Sequence, residues 1–192
     1  MNSLPHEAKV VVIGGGIAGC STAYHLAKNG WDTVLIERDV LTSGTTWHAA
    51  GMVTQLGTTP QITKIRKSSV KFYKDLNSIT GQDTSFRHTG TINIATTKSR
   101  YQEYLRQLTT SKLLDLDIDI INKKKFKDLY PIAKNKDIFG GLYIPQDGQA
   151  DPEILTKVIA VAAKKEGVKI FEKCKLQKIL KRENQIRGVK TN

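Results

Sequence analysis

The run Lys9-Val-Val-Val-Ile-Gly-Gly-Gly-Ile-Ala-Gly19, followed 18 residues later by Glu37, constrains this chain more than any other part of it. Val10 to Ile13 reads as a short β-strand entering a glycine turn. Gly14, Gly16 and Gly19 spell G-x-G-x-x-G, and Ile17, Ala18, Ala23, Leu26 and Ala27 then recur at helical spacing up to Asn29-Gly30. Thr33 to Ile36 reads as a second strand that ends on Glu37. Strand, glycine turn, helix, strand and terminal acid together predict a βαβ unit that binds an adenine dinucleotide. Each part has a mechanical reason. Gly14 permits the tight turn, Gly16 lets the backbone approach a pyrophosphate, and Gly19 lets the helix pack close to the strand. The helix N-terminus directs free N–H groups and the positive end of its dipole at the phosphates. Glu37 can accept hydrogen bonds from both ribose hydroxyls, which disfavours the 2′-phosphate of NADP. FAD and NAD both remain open on these residues alone.

Residues 42–60 are rich in glycine and hydroxyls and show no period, and a loop of this length inside a compact domain is usually functional. Thr59-Pro60 predicts a helix start, with Ile62, Ile65, Phe72, Tyr73, Leu76 and Ile79 on one face and a stop at Gly81. A strand is expected at Thr91 to Ala95 and a helix around Tyr101, Tyr104, Leu105 and Leu108. Beyond them come a strand near Asp117 to Ile121, a brief helix carrying Phe126, Leu129 and Tyr130, and a strand and turn over 140–148. Asp151-Pro152-Glu153 combines a cap, a first-turn proline and a first-turn acid. The helix it opens buries Ile154, Leu155, Val158, Ile159, Ala162 and Ala163. Val168 to Phe171 reads as a third buried strand, and Leu176 to Leu180 with Ile186 to Lys190 as a hairpin turning at Glu183-Asn184. Three parallel strands are few for a sheet that must be covered on both faces. The chain therefore reads as the N-terminal piece of a longer protein, with one sheet face half covered.

The formal charge of +12 raises nucleic acid or an anionic surface as a partner. The basic residues are mostly lysine and scattered, and no aromatic residues interleave with them as a stacking surface requires. A solvated surface is the better reading, with no nucleic-acid partner. No segment approaches the ~20 apolar residues of a membrane span. The start of the chain has no apolar signal core and carries an acid and no arginine, which reads as cytoplasmic. Cys20 and Cys174 sit far apart in apolar-patterned segments and read as core thiols. No Cys/His spacing suggests a metal.

Residues 37–57, Glu-Arg-Asp-Val-Leu-Thr-Ser-Gly-Thr-Thr-Trp-His-Ala-Ala-Gly-Met-Val-Thr-Gln-Leu-Gly, identify a family. They closely resemble the FAD-dependent dimethylglycine and sarcosine dehydrogenases, a branch of the D-amino-acid-oxidase-like flavoproteins. Further landmarks follow in family order at His88 to Ile92, Tyr130-Pro131, Gly140 to Tyr143, Asp147 to Pro152 and Gly188 to Thr191. The resemblance implies an α/β fold: a Rossmann-like FAD-binding βαβ domain with the beginning of an interleaved α+β substrate domain, the sheet being incomplete in this chain. It implies the FAD-binding βαβ and flavin-attachment loop over 1–60, a helical and strand insertion over 61–150, and a return to the FAD-binding domain over 151–192. By the same resemblance Gly14, Gly16 and Gly19 hold the FAD pyrophosphate and Glu37 the ribose. Arg38 lies near the adenine, and Ser43, Thr45 and Thr46 line the pyrophosphate and flavin side. Gly51 lets the backbone pass the ring, and the backbone of Leu176 meets the adenine. His48 matches the histidine that bonds covalently to the flavin 8α-carbon, a reaction open to a neutral imidazole nitrogen.

The implied activity is oxidation of an N-methyl amino acid by hydride transfer to flavin, with demethylation. A small amine is the substrate, and tetrahydrofolate and an electron acceptor are possible further partners. A non-catalytic regulatory relative of the same family is the alternative, and His48 argues for the enzyme.

Overall fold

A computed structural model describes residues 3–192. In chain order its elements are β1 (Val10–Ile13), α1 (Ile17–Lys28), β2 (Thr33–Ile36), β3 (Met52–Val53), α2 (Pro60–Thr80), β4 (Thr91–Ala95) and α3 (Lys98–Leu113). They continue with β5 (Asp119–Ile121), α4 (Lys123–Leu129), β6 (Gly140–Ile144), β7 (Gly148–Gln149), α5 (Pro152–Lys165), β8 (Lys169–Phe171), β9 (Leu176–Arg182) and β10 (Gln185–Thr191). The fold is mixed α/β with small sheets. The chain forms two compact units, one of residues 1–51, 73–85 and 150–192, the other of residues 52–72 and 86–149.

The first unit is built on a parallel sheet in the order β1-β2-β8. Val10 to Ile13 pair in step with Thr33 to Ile36, and Val34 to Ile36 with Lys169 to Phe171. The central strand β2 is buried along its whole length, which is why it carries no polar alternation. Helices α1 and α5 pack against each other, and α1 brings Cys20, Ala23 and Tyr24 to the core. Ala18, expected on that face, is exposed.

The sheet's other face is not left open. The hairpin β9–β10 lays Leu176 and Val189 against Val34, Ile36 and Cys174. The tight turn of that hairpin sits at Glu183 and Asn184, both at positive φ, as a two-residue reversal of this hand requires.

Helix α5 starts as its sequence predicts. The Asp151 carboxylate accepts from Glu153 N–H and Ile154 N–H, both at 2.9 Å, with Pro152 in the first turn. Leu155, Val158, Ile159, Ala162 and Ala163 are buried, each larger side chain contributing about 1.5–3 kcal/mol. Ile154, predicted inside, is 45 % exposed. Thr156 is buried in the same turn, because its hydroxyl donates to the Pro152 carbonyl at 2.7 Å and needs no water.

The second unit holds the antiparallel sheet β4-β6-β5. Alternation divides its side chains. Ala95, Leu142 and Ile144 pack with Tyr104, Leu116 and Ile118 on the α3 side. Ile121, Ile92 and Tyr143 pack with Phe126 of α4 and Ile138 on the other. A short ribbon joins β3 to β7, pairing Met52 with Gln149 and Val53 with Gly148. Helix α2 runs to Gly81 as predicted; its residues 60–72 belong to this unit and bury Thr63 and Val70, its residues 73–80 belong to the first unit and bury Leu76, and Ile62 and Ile65 are exposed. Among the described residues, no helix is long and apolar enough to cross a membrane.

Candidate functional site

The glycine turn sits between β1 and α1. Gly14 holds φ +110°, and its N–H donates to the Ile36 carbonyl at 2.9 Å, which folds the turn over the end of β2. A Cβ on Gly19 would lie 1.9 Å from the Gly14 carbonyl oxygen, so the close approach of α1 to the turn requires a hydrogen there. A Cβ on Gly16 would lie 2.9 Å from the Thr46 hydroxyl. The first turn of α1 contains no acid and Gly16 offers no capping side chain, so the first amides of the helix itself are not capped by a residue of its own N-terminus. A pyrophosphate fits this arrangement.

Glu37 and Thr46 both reach the turn. Glu37 is nearly buried. One carboxylate oxygen accepts from Gly15 N–H at 2.6 Å and the other from Asp39 N–H at 2.8 Å. Each oxygen keeps a second acceptor site, so ribose hydroxyls remain compatible with these bonds. The Thr46 hydroxyl accepts from Ile17 N–H at 3.1 Å and keeps its own proton for an anion.

Thr42 was not singled out by its sequence. It is buried at φ +74°, a strained position for a β-branched residue that costs about 1–3 kcal/mol, and its N–H donates to the Gly15 carbonyl at 3.0 Å. A hydroxyl-rich loop gives no local signal for that conformation.

His48 closes one 3-10 turn over Thr46–His48 and is exposed. Its ring lies against Trp47, with centroids 3.9 Å apart. Nδ1 stands 3.3 Å from the Gly44 carbonyl oxygen. With the proton on Nδ1 as donor, Nε2 carries the lone pair and is the nucleophilic atom.

Ser43 and Thr45 are exposed on the same loop, and Arg38 is exposed just after Glu37. Leu176 is half buried at the start of β9, with its side chain in the cluster around Val34 and Ile36. Gly51 has φ +73°, and a Cβ there would meet the Ala150 carbonyl oxygen at 2.3 Å. What comes closest to Gly51 in this structure is therefore protein backbone. The structure thus joins the glycine turn, Glu37 and Thr46 by direct hydrogen bonds. A groove beside them is lined by Ser43, Trp47, Glu153 and Lys157. Among the described residues no acidic, histidine and cysteine cluster could hold a metal.

Burial pushes the Cys20 thiol up to about 12, and the nearby carboxylates of Glu37 and Glu172 add to the effect. At pH 8 its thiolate is about one part in ten thousand. Iodoacetamide is expected to leave Cys20 unmodified in the folded full-length protein at pH 8 and to label it in urea, as read by peptide mass. Labelling of the folded protein at the rate of a free thiol would contradict this environment.

The chain is 43% identical over 163 residues to the mitochondrial dimethylglycine dehydrogenase of Rattus norvegicus, covering 84% of this chain and 19% of that protein. It is 36% identical over 190 residues to the formaldehyde-forming 4-methylaminobutanoate oxidase of Paenarthrobacter nicotinovorans, covering 98% and 23%. It therefore spans about a fifth of the length of these curated relatives. The crystal structure of L-proline dehydrogenase from P. horikoshii superposes with a TM-score of 0.92 at 30% identity, over 98% of this chain and 50% of that one. The family model described as FAD dependent oxidoreductase matches residues 9–192, a span that takes in the glycine turn, Glu37, the His48 loop and the hairpin that covers the sheet, and the chain accordingly belongs to that family.

Proposed function

We propose that the protein containing this chain is an FAD-dependent amine dehydrogenase or oxidase that demethylates an N-methyl amino acid of the dimethylglycine or sarcosine type. The observation that carries the reading is the convergence of Glu37 and Thr46 on the glycine turn, directly before the loop that bears His48. The names of the relatives support an amine as the substrate. Bound FAD supplies the hydride acceptor.

The chain's own residues hold and orient that cofactor. The α1 N-terminus and the Thr46 hydroxyl take the pyrophosphate, Glu37 takes the ribose, and His48 Nε2 takes the 8α-carbon. His48 would hold the flavin through this carbon, and the bound flavin would supply the electrophile. In turnover the amine reacts in its neutral form, since its lone pair assists departure of the hydride, and the rate rises with pH through the bound amine's pKa. The oxidised product is hydrolysed to formaldehyde or captured by tetrahydrofolate, and an electron carrier or dioxygen takes the electrons.

The test uses the full-length protein. Protease digestion and mass analysis should yield FAD attached to the peptide that carries His48. Anaerobic mixing with dimethylglycine or sarcosine should bleach the flavin absorbance. Recovery of NAD would sink the cofactor assignment, and bleaching only by D-amino acids with primary amines would sink the substrate assignment.

A further inference from the structure

Asp147 has no exposed surface, yet among the described residues it makes no ion pair. A buried carboxylate is costly unless donors surround it. Here the donors come from two distant stretches of chain. One oxygen accepts from the Gln55 backbone N–H at 2.8 Å, with Gln55 Nε2 at 3.5 Å. The other accepts from the Thr91 hydroxyl at 2.6 Å. The Asp147 carbonyl also receives Gly90 N–H at 2.9 Å.

Gln55 follows the His48 loop by seven residues, and the stem of that loop is zipped against the stretch that carries Asp147. The Gly51 carbonyl accepts from Ala150 N–H at 2.9 Å, Met52 pairs with Gln149, Val53 pairs with Gly148, and Gln55 ends on Asp147. A two-residue strand is weak by itself. The carboxylate fastens its open end and ties it to β4 through Thr91. Removing either partner takes a donor from a buried carboxylate oxygen, which is costly.

We propose that Asp147 is the positioning residue for the His48 loop: by holding Gln55 and Thr91 together it fixes the stem from which His48 is presented to the flavin. This rests on the reading that His48 takes the flavin 8α-carbon. A loop displaced by about 1 Å loses rate by factors of ten to a hundred while non-covalent binding elsewhere persists.

The experiment follows the growth of acid-precipitable flavin after FAD is added to full-length protein made in flavin-poor cells. Asp147→Asn keeps the shape but faces an N–H donor with an amide that can accept on one side only. It should slow attachment about tenfold or more while total bound FAD stays near one per chain. Hydrogen exchange of the peptide around residues 51–57 should rise, and that of α1 should not. Thr91→Val removes a single donor and should slow attachment by a smaller factor, which keeps the test open if Asp147→Asn does not fold. Attachment at the wild-type rate in both variants overturns the positioning role. Wild-type protein that loses all its flavin on acid precipitation overturns the histidine reading itself, and the two failures are distinguishable by the wild-type sample alone.

Discussion

Replacing Gly19 with alanine in the full-length protein is expected to abolish FAD binding and to lower the thermal midpoint sharply. The added methyl would sit 1.9 Å from the Gly14 carbonyl oxygen, and backbone cannot swing aside as a flexible side chain can. Helix α1 must then lift off the turn. That movement pulls Ile17 N–H from Thr46 and loosens the packing of Cys20, Ala23 and Tyr24. Overpacking a tight core typically costs 1–3 kcal/mol, and a clash this deep against backbone should cost roughly 3 kcal/mol or more. That is a large share of the 5–15 kcal/mol typical of a whole domain. Gly188→Ala is the control, since its added methyl meets nothing within 4 Å. Differential scanning calorimetry and the flavin absorbance of the purified proteins read both effects. Equal melting temperature and flavin content in Gly19→Ala and wild type would mean that α1 does not approach the turn as described.

The second large effect concerns attachment. His48→Ala should take acid-precipitable flavin from near one per chain to none, while FAD that dissociates on denaturation is still recovered. On the proposed reading the contrast arises because the glycine turn, Glu37 and Thr46, joined to one another independently of His48, would hold the pyrophosphate and ribose. On that reading, with Nδ1 beside the Gly44 carbonyl, Nε2 is the atom whose loss would matter. Gel fluorescence after acid precipitation, with mass analysis of the flavin-bearing peptide, distinguishes the outcomes. Persistence of covalent flavin in His48→Ala would assign the linkage to another residue.

Much of the first unit was legible in the sequence because its signals are local. A glycine at φ +110°, an Asp-Pro-Glu helix start and a two-residue Glu-Asn hairpin turn each follow from the conformational limits of a few neighbouring residues. The strand β2 announced itself as an apolar run, since a central parallel strand has no solvent face to mark with polar residues, whereas its neighbours β1 and β8 are only half buried, with Ile13 and Lys169 exposed. Which residues of a helix face inward was less legible. The predicted face of α2 misplaced Ile62 and Ile65, and that of α5 misplaced Ile154, because a partner's position, not side-chain chemistry alone, decides which part of a broad apolar stripe is covered.

The sequence by itself determined the local conformations and the chemical kinds of group in the site: the glycine turn, the acid that ends β2, the hydroxyl-rich loop and its histidine. Only the tertiary structure decided the long-range partners. It showed that Glu37 braces Gly15 and that Thr46 sits on the first amide of α1. It brought the final hairpin onto the second face of the sheet, and it gave the buried carboxylate of Asp147 donors 92 and 56 residues away. The physical reason is range. Backbone preferences act over a few residues and are written into each neighbourhood, whereas satisfying a buried polar group depends on which distant segments the completed packing brings within 3 Å.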